Sequence, residues 1–262
     1  MKYYAVADVH GFTTCLRQAL EQAGFYEDTE PHKLIMCGDL LDRGTEANQL
    51  IEFMIELNQR GELIYILGNH EDLLTKAVHQ VVRGGIYEVA SPMSHHCLNG
   101  TWDTLLQISQ MTEAEAYYNP NELVRRVINS PFYQILLPSA VDFYETSHYI
   151  FTHGWIPCFT EGFKPYVKYQ YDPDWHEADV ESWRRARWMN GMELACNHHI
   201  LEPNKTIVSG HFHSSWGHSK IAHKCSEFGD DAVFTPFYSD GIIAIDACTV
   251  TSGMVNCIVI ED

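Results

Sequence analysis

Five short polar motifs in this chain carry residue types that bind metal and phosphate: Asp8-Val9-His10-Gly11, Gly38-Asp39-Leu40-Leu41-Asp42-Arg43-Gly44, Gly68-Asn69-His70-Glu71, His153-Gly154 and Gly210-His211-Phe212-His213. A hard or borderline divalent ion takes carboxylate oxygen and imidazole nitrogen, and two ions held close together need a carboxylate between them. Asp39 is the natural bridge. Asp8 and His10 lie two apart, so both can turn toward one ion once the chain leaves a regular strand. Asn69 offers a neutral carbonyl oxygen, and His153, His211 and His213 offer imidazoles, which leaves open positions for water and phosphate.

Each motif follows an apolar, β-rich run: residues 3–7, 34–37, 63–67, 148–151 and 206–208. Polar residues after one such run after another are the pattern of a site built on the carboxyl ends of a parallel sheet. Helical periodicity over 13–23 and 45–59 separates the first three runs, which reads as consecutive right-handed βαβ units, with Thr45 capping the second helix and Gly61 ending it. Residues 84–147 change to short helical pieces punctuated by Pro92, Pro120, Pro131 and Pro138 and carry none of the motifs. This stretch reads either as a helical insertion capping the site or as a structural excursion. Further strands are expected at 241–245 and 254–260, with 246–253 as a hairpin connection between them.

With 262 residues, 45% of them hydrophobic, the chain can bury a large core, and a single domain spanning 1–262 is expected. A formal charge of −18, from 35 acidic and 17 basic residues, disfavours a grip on nucleic acid. Small phosphorylated substrates remain open, because metal charge can overrule net charge locally. No basic stretch followed by an apolar run suggests a signal peptide, and no apolar run approaches the roughly 18 residues of a membrane span. The eight cysteines are scattered without a C-x-x-C pair and read as reduced thiols in or near the core. A cytoplasmic enzyme without disulfides is the expectation.

In this order the motifs resemble those of the calcineurin-like metallophosphoesterases. The Gly38–Gly44 and Gly68–Glu71 motifs look like the phosphoprotein phosphatase branch, which includes lambda phage phosphatase and the symmetrical diadenosine tetraphosphatases. The resemblance implies an α/β fold of four layers, two mixed sheets face to face with helices outside. It implies one divalent ion on Asp8, His10, Asp39 and His213, and a second on Asp39, Asn69, His153 and His211. Manganese is the expected metal, while iron, zinc and cobalt accept the same ligands. His70 would protonate the leaving oxygen with support from Asp42, and Arg43 and Asn69 would bind phosphate. A further phosphate-binding arginine follows a tryptophan in several members, which points to Arg185 in Trp183-Arg184-Arg185, with Arg184 and Arg187 as competitors. The chain departs from the family in carrying Ala7, usually Gly, before Asp8. It also keeps His213, which many eukaryotic protein phosphatases lack.

The resulting expectation is hydrolysis of phosphomonoesters, in the manner of a serine/threonine protein phosphatase, by attack of a metal-bridging hydroxide on phosphorus. The partner would be a phosphorylated protein or a small phosphoester or nucleotide. A bis(5'-nucleosyl)-tetraphosphatase on the same site is the nearest rival, and a non-catalytic scaffold the rival from another class. The remaining histidines, His95-His96, His198-His199, His218 and His223, read as surface or loop residues. Trp175, Trp183 and Trp188 read as packing residues or as stacking partners for a base.

Overall fold

The computed structural model describes residues 1–162 and 167–262. Its strands are β1 (Lys2–Val6), β2 (His32–Cys37), β3 (Leu63–Ile66), β4 (Tyr144–Glu145), β5 (Tyr149–Thr152), β6 (Cys158–Glu161), β7 (Lys168–Tyr171), β8 (Thr206–Ser209), β9 (Phe237–Ser239), β10 (Ile242–Ala244) and β11 (Ile258–Glu261). One sheet runs β11-β1-β2-β3, the other β4-β5-β8-β10-β9, and β6-β7 form a separate ribbon. Within the sheets β1, β2 and β3 are mutually parallel, as are β5, β8 and β10.

Alternation along the strands explains the layers. Tyr3, Ala5, Ile35, Cys37 and Ile66 point to one side and meet Phe151, Val208 and Ile245 of the other sheet, forming a core between the sheets. Tyr4, Val6, Leu34 and Met36 point to the opposite side and pack under helices. Both faces are covered, so these strands are apolar almost throughout. Each large apolar side chain so buried contributes about 1.5–3 kcal/mol.

Helices α1 (Thr13–Gln22), α2 (Ala47–Gln59) and α3 (Asn69–Val82) cover the first sheet. The 84–147 stretch adds α4 (Ile86–Val89), α5 (His95–Leu98), α6 (Thr101–Ser109), α7 (Glu113–Tyr118), α8 (Pro120–Ile128) and α9 (Leu137–Ser139) to that same layer, with Trp102, Leu105, Leu123, Val127 and Phe132 in its core. On the second sheet lie α10 (Val180–Ala186) and α11 (Gly191–His198), with Trp155, Trp175 and Trp183 buried among them. Short α12 (Ser214–Trp216) and α13 (Thr249–Ser252) complete the set. This is the expected four-layer sandwich.

Several expectations need correction. Residues 246–253 are no hairpin: β10 pairs β8 and β9 in the second sheet, whereas β11 pairs β1 antiparallel in the first, so the connection crosses between sheets through α13. Thr45 does not cap α2, whose first residue follows Glu46. Instead the Glu46 carboxylate accepts from Thr14 N–H at 2.9 Å and Thr14 Oγ1 at 2.6 Å, tying α2 to α1. His96 is buried rather than superficial, with Nε2 2.9 Å from Gln80 Oε1. All eight cysteines are unpaired, and among the described residues no helix is long and apolar enough to cross a membrane.

Candidate metal centre

The loops leaving β1, β2, β3, β5 and β8 converge at the carboxyl ends of the two parallel cores. Their backbone is unusual. Asp8, His10, Asp39, Asp42, Arg43 and His211 all adopt left-handed conformations, with φ between 52° and 73°. Such conformations cost energy in L-residues and persist at functional sites when surrounding structure enforces them. Here the enforcement is visible. The Glu71 carboxylate accepts from the N–H groups of Gly68 (2.7 Å), Asp39 (3.1 Å) and Leu40 (3.0 Å), and His10 N–H donates to Asp39 O at 3.0 Å. Gly210 must be glycine, because a Cβ there would sit 2.2 Å from Asp8 Oδ2 and 2.6 Å from the Ala7 methyl. The methyl that this chain carries at position 7 is thus accommodated across the sheet interface.

Two groups of donors share Asp39. His10, Asp39 and His70 form one, and Asp39, His153 and His211 the other, with ligand atoms within 4.8 Å of one another in each. His10 Nε2 is 3.7 Å from Asp39 Oδ2 and 4.0 Å from Asp8 Oδ1, and His153 Nε2 is 3.3 Å from Asp39 Oδ1. Asp8 Oδ2 accepts from His211 N–H at 2.9 Å, which fixes the carboxylate at the group's edge. Both His10 and His153 direct Nδ1 to a backbone carbonyl, of Leu41 and Cys37 respectively, each at 2.9 Å. Their Nε2 lone pairs therefore face the cluster, the tautomer that metal ligation needs.

One contact in particular fits a cation. His153 Nε2 and Asn69 Oδ1 are 2.8 Å apart, and with Nδ1–H given to Cys37 both are acceptors. Two lone pairs that close are stabilised by positive charge between or beside them. The electrostatics agree. Burial, with Asp246 and Asp39 as neighbours, pushes the Asp8 carboxyl well above its usual range, and burial likewise raises Asp246 to about 7. Burial lowers His10 and His153 and brings His211 down to about 3, so these imidazoles are neutral donors. Burial opposes ionisation of Asp39 too, but His153, His70 and His10 around it hold it below the ordinary carboxylate value.

One member of the first group, His70, is held by a second carboxylate. His70 Nδ1 lies 2.7 Å from Asp42 Oδ2, which also accepts from Thr101 Oγ1 at 2.7 Å. Burial pulls the His70 pKa down, yet Asp39 and Asp42 more than offset it, leaving it raised. Arg43, exposed at the rim, reaches across with its guanidinium 2.8 Å from His10 Nε2 and 3.2 Å from His70 Nε2. The 84–147 stretch holds this corner from behind. Thr104 Oγ1 accepts from Asp42 N–H at 3.1 Å, Gln107 Nε2 donates to Gly44 O at 2.9 Å, and Gly100 abuts the Arg43 backbone so closely that a Cβ would lie 2.3 Å from Arg43 N.

The structure gathers Asp8, His10, Asp39, Asp42, Arg43, Asn69, His70, His153 and His211, but not every expected residue. His213 turns aside: Nδ1 is 2.8 Å from Ser215 Oγ and Nε2 is 3.5 Å from Glu227 Oε1. Arg185 is exposed and donates to Ser182 Oγ on its own helix at 2.8 Å, while Arg184 pairs with Glu181. Arg187 is the buried arginine, pairing with Asp142 and, at 2.6 Å, with Asp72, and its charge acts on His153. Sequence reasoning overlooked Asp246, a buried carboxylate beside Asp8 whose backbone oxygen accepts from Ser214 N–H at 2.8 Å. The signal was present, since Asp246 follows an apolar strand as the motif aspartates do.

Residues 1–240 match the family model for calcineurin-like phosphoesterases. The chain belongs to that family. It is 40% identical over 82 residues to a symmetrical bis(5'-nucleosyl)-tetraphosphatase of Thioalkalivibrio sulfidiphilus, covering 31% of this chain and 28% of that protein. It is 22% identical over 142 residues to the asymmetrical bis(5'-nucleosyl)-tetraphosphatase PrpE of Bacillus velezensis, covering 52% of each. The chain thus spans between about a quarter and about half of the length of these curated relatives. Among solved structures it is similar to a putative diadenosine tetraphosphatase, with 13% identity, TM-score 0.49 and coverage of 99% of this chain and 89% of the other.

Proposed function

We propose that this chain is a metal-dependent hydrolase of phosphate esters and anhydrides. The observation that carries the reading is the pairing of a carboxylate-supported imidazole, His70 on Asp42, with a donor set centred on Asp39. Asp8, His10 and Asp39 would hold one divalent ion and Asp39, Asn69, His153 and His211 the other, with manganese the metal to try first. When bound, the ions would supply positive charge that acidifies water and neutralises phosphate oxygens.

The protein's own groups account for the rest. Arg43 can turn its planar fork from the two imidazoles onto a phosphate, for which a guanidinium is geometrically matched. Asn69, fixed at the N-terminus of α3, stands at the same phosphate. His70 keeps its proton through Asp42 and gives it to the departing oxygen from Nε2, the atom that faces the cluster. The Thr101 hydroxyl holds Asp42 in the orientation that this requires.

Two substrate classes compete, a phosphorylated protein side chain and a nucleotide polyphosphate. The two curated relatives, both bis(5'-nucleosyl)-tetraphosphatases, favour the nucleotide. Stripped protein reloaded with manganese, assayed against phosphopeptides, mononucleotides and dinucleoside polyphosphates, tests the proposal. Absence of phosphate release from all three would end it, and preference for phosphopeptides would restore the protein-phosphatase reading.

A further inference from the structure

Of the six tryptophans of this chain, Trp188 is the one that is exposed, and Trp216 is half-buried. Trp155 and Trp175 have 0% of their surface exposed, Trp183 has 3% and Trp102 has 4%, whereas Trp188 has 44%. Trp188 is also the tryptophan placed at the metal centre. Its ring stands edge-on to His211 at 5.8 Å between centroids and 84°, and the exposed imidazole of His95 lies 6.0 Å away at 37°. The backbone beneath is fixed, with Trp188 N–H donating to Arg185 O at 3.1 Å and Met189 N–H to Ala186 O at 3.1 Å.

His95 opens α5, whose N-terminus is capped by Ser94, and the same segment ends at Gly100 against Arg43. The segment 95–100 thus meets Trp188 at its start, through His95, and the Arg43 backbone at its end, through Gly100, while Trp188 itself meets His211. An indole left open to water is an incompletely used apolar surface, and a flat π-face beside a phosphate site suits a flat aromatic group attached to that phosphate. Resting on the proposed hydrolase reading, we infer that Trp188, flanked by His95, is a shelf on which the nucleobase of a nucleotide substrate stacks while its phosphate lies at Arg43 and the metals.

Stacking recognises any base without a pattern of hydrogen bonds, so the shelf should select nucleotides as a class. It also fits a chain whose charge of −18 repels long nucleic acids, because a single nucleotide presents its charge only to the metals and Arg43.

Equilibrium binding tests this apart from turnover. On manganese-loaded protein, adenosine 5'-monophosphate should bind about 10–100-fold more tightly than ribose 5-phosphate, the scale of one base–aromatic stack. In Trp188→Ala that preference should vanish through loss of the adenosine ligand, and Trp188→Phe should restore part of it. Equal affinities for the two ligands in the parent would overturn the shelf even if the protein hydrolyses phosphate esters. Equal weakening of both ligands in Trp188→Ala would overturn it as well, making Trp188 a support for His211. A retained preference with no phosphate release from any substrate would instead spare the shelf and refute the hydrolase.

Discussion

His70 and Asp42 come from different motifs, 28 residues apart, yet their side chains meet at 2.7 Å inside a wall that water does not reach. Against the pull of burial, Asp42 together with Asp39 raises the His70 pKa above its ordinary value. His70→Asn should retain its metals and lose about 10²–10⁴-fold in rate on esters with poor leaving groups, the usual scale of general acid catalysis. Activated aryl esters should suffer less. Asp42→Asn removes one of the two carboxylates that raise the His70 pKa, so the alkaline limb of the kcat/KM profile should move to lower pH. An unmoved limb would detach Asp42 from the acid.

Asp39 stands in both donor groups and accepts from His70 N–H at 2.9 Å. Asp39→Asn should therefore lower the bound manganese and cost more activity than the about 10–100-fold typical of changes behind a ligand. Metal analysis that still found two ions per chain, with turnover preserved, would remove the bridge.

Asp246 tests the balance of charge. Its folded-state pKa of about 7 stands above the roughly 3.9 of an unfolded aspartate, so the folded state holds the proton more tightly. Stability is accordingly complete below the unfolded value and lost as pH rises toward 7. In metal-free protein Asp246→Asn, which needs no proton, should gain over the parent as pH climbs from about 4 to about 7 and then hold its lead. Several degrees in Tm at pH 8 are expected, at about 2–4 °C per kcal/mol for a chain of this size. The same variant should bind manganese more weakly. A Tm unchanged at pH 8 would show that Asp246 carries no buried charge there.

The arginines after Trp183 separate by burial. Arg185→Lys should leave inhibition by inorganic phosphate within roughly twofold, since exposed contacts of this kind carry little energy. Arg187→Ala removes the buried partner of Asp142, leaves Asp72 only Arg184 Nε at 3.8 Å, and should destabilise the fold by about 1–3 kcal/mol in urea titration. A strong phosphate defect confined to Arg185→Lys would return that residue to the site.

What the sequence disclosed, and what it hid, follows from the range of each signal. Asp8, Asp39, Asn69 and His153 were legible because each directly follows an apolar strand, and strand ends in parallel sheets converge. Spacing alone does not report a rotamer, so it could not separate His211, which faces Asp39, from His213, drawn off by Ser215 and Glu227. Nor does it tell which of three arginines around one turn faces inward. The false hairpin at 246–253 failed for a related reason. Local alternation marks a strand but not the sheet that receives it, and here the neighbour was β1, more than two hundred residues away.

That last pairing bears on how the molecule is made. Emerging from a ribosome, β1 is made long before its partner β11, and Asp8 precedes by 241 residues Thr249, whose hydroxyl donates to Asp8 O at 2.9 Å. A nascent chain halted anywhere short of residue 249 carries an aspartate loop without its latch and an open strand edge inviting other chains. The geometry of the Asp8 loop is thus completed only after translation has passed residue 249, and metal supplied earlier would meet an unfinished receptor.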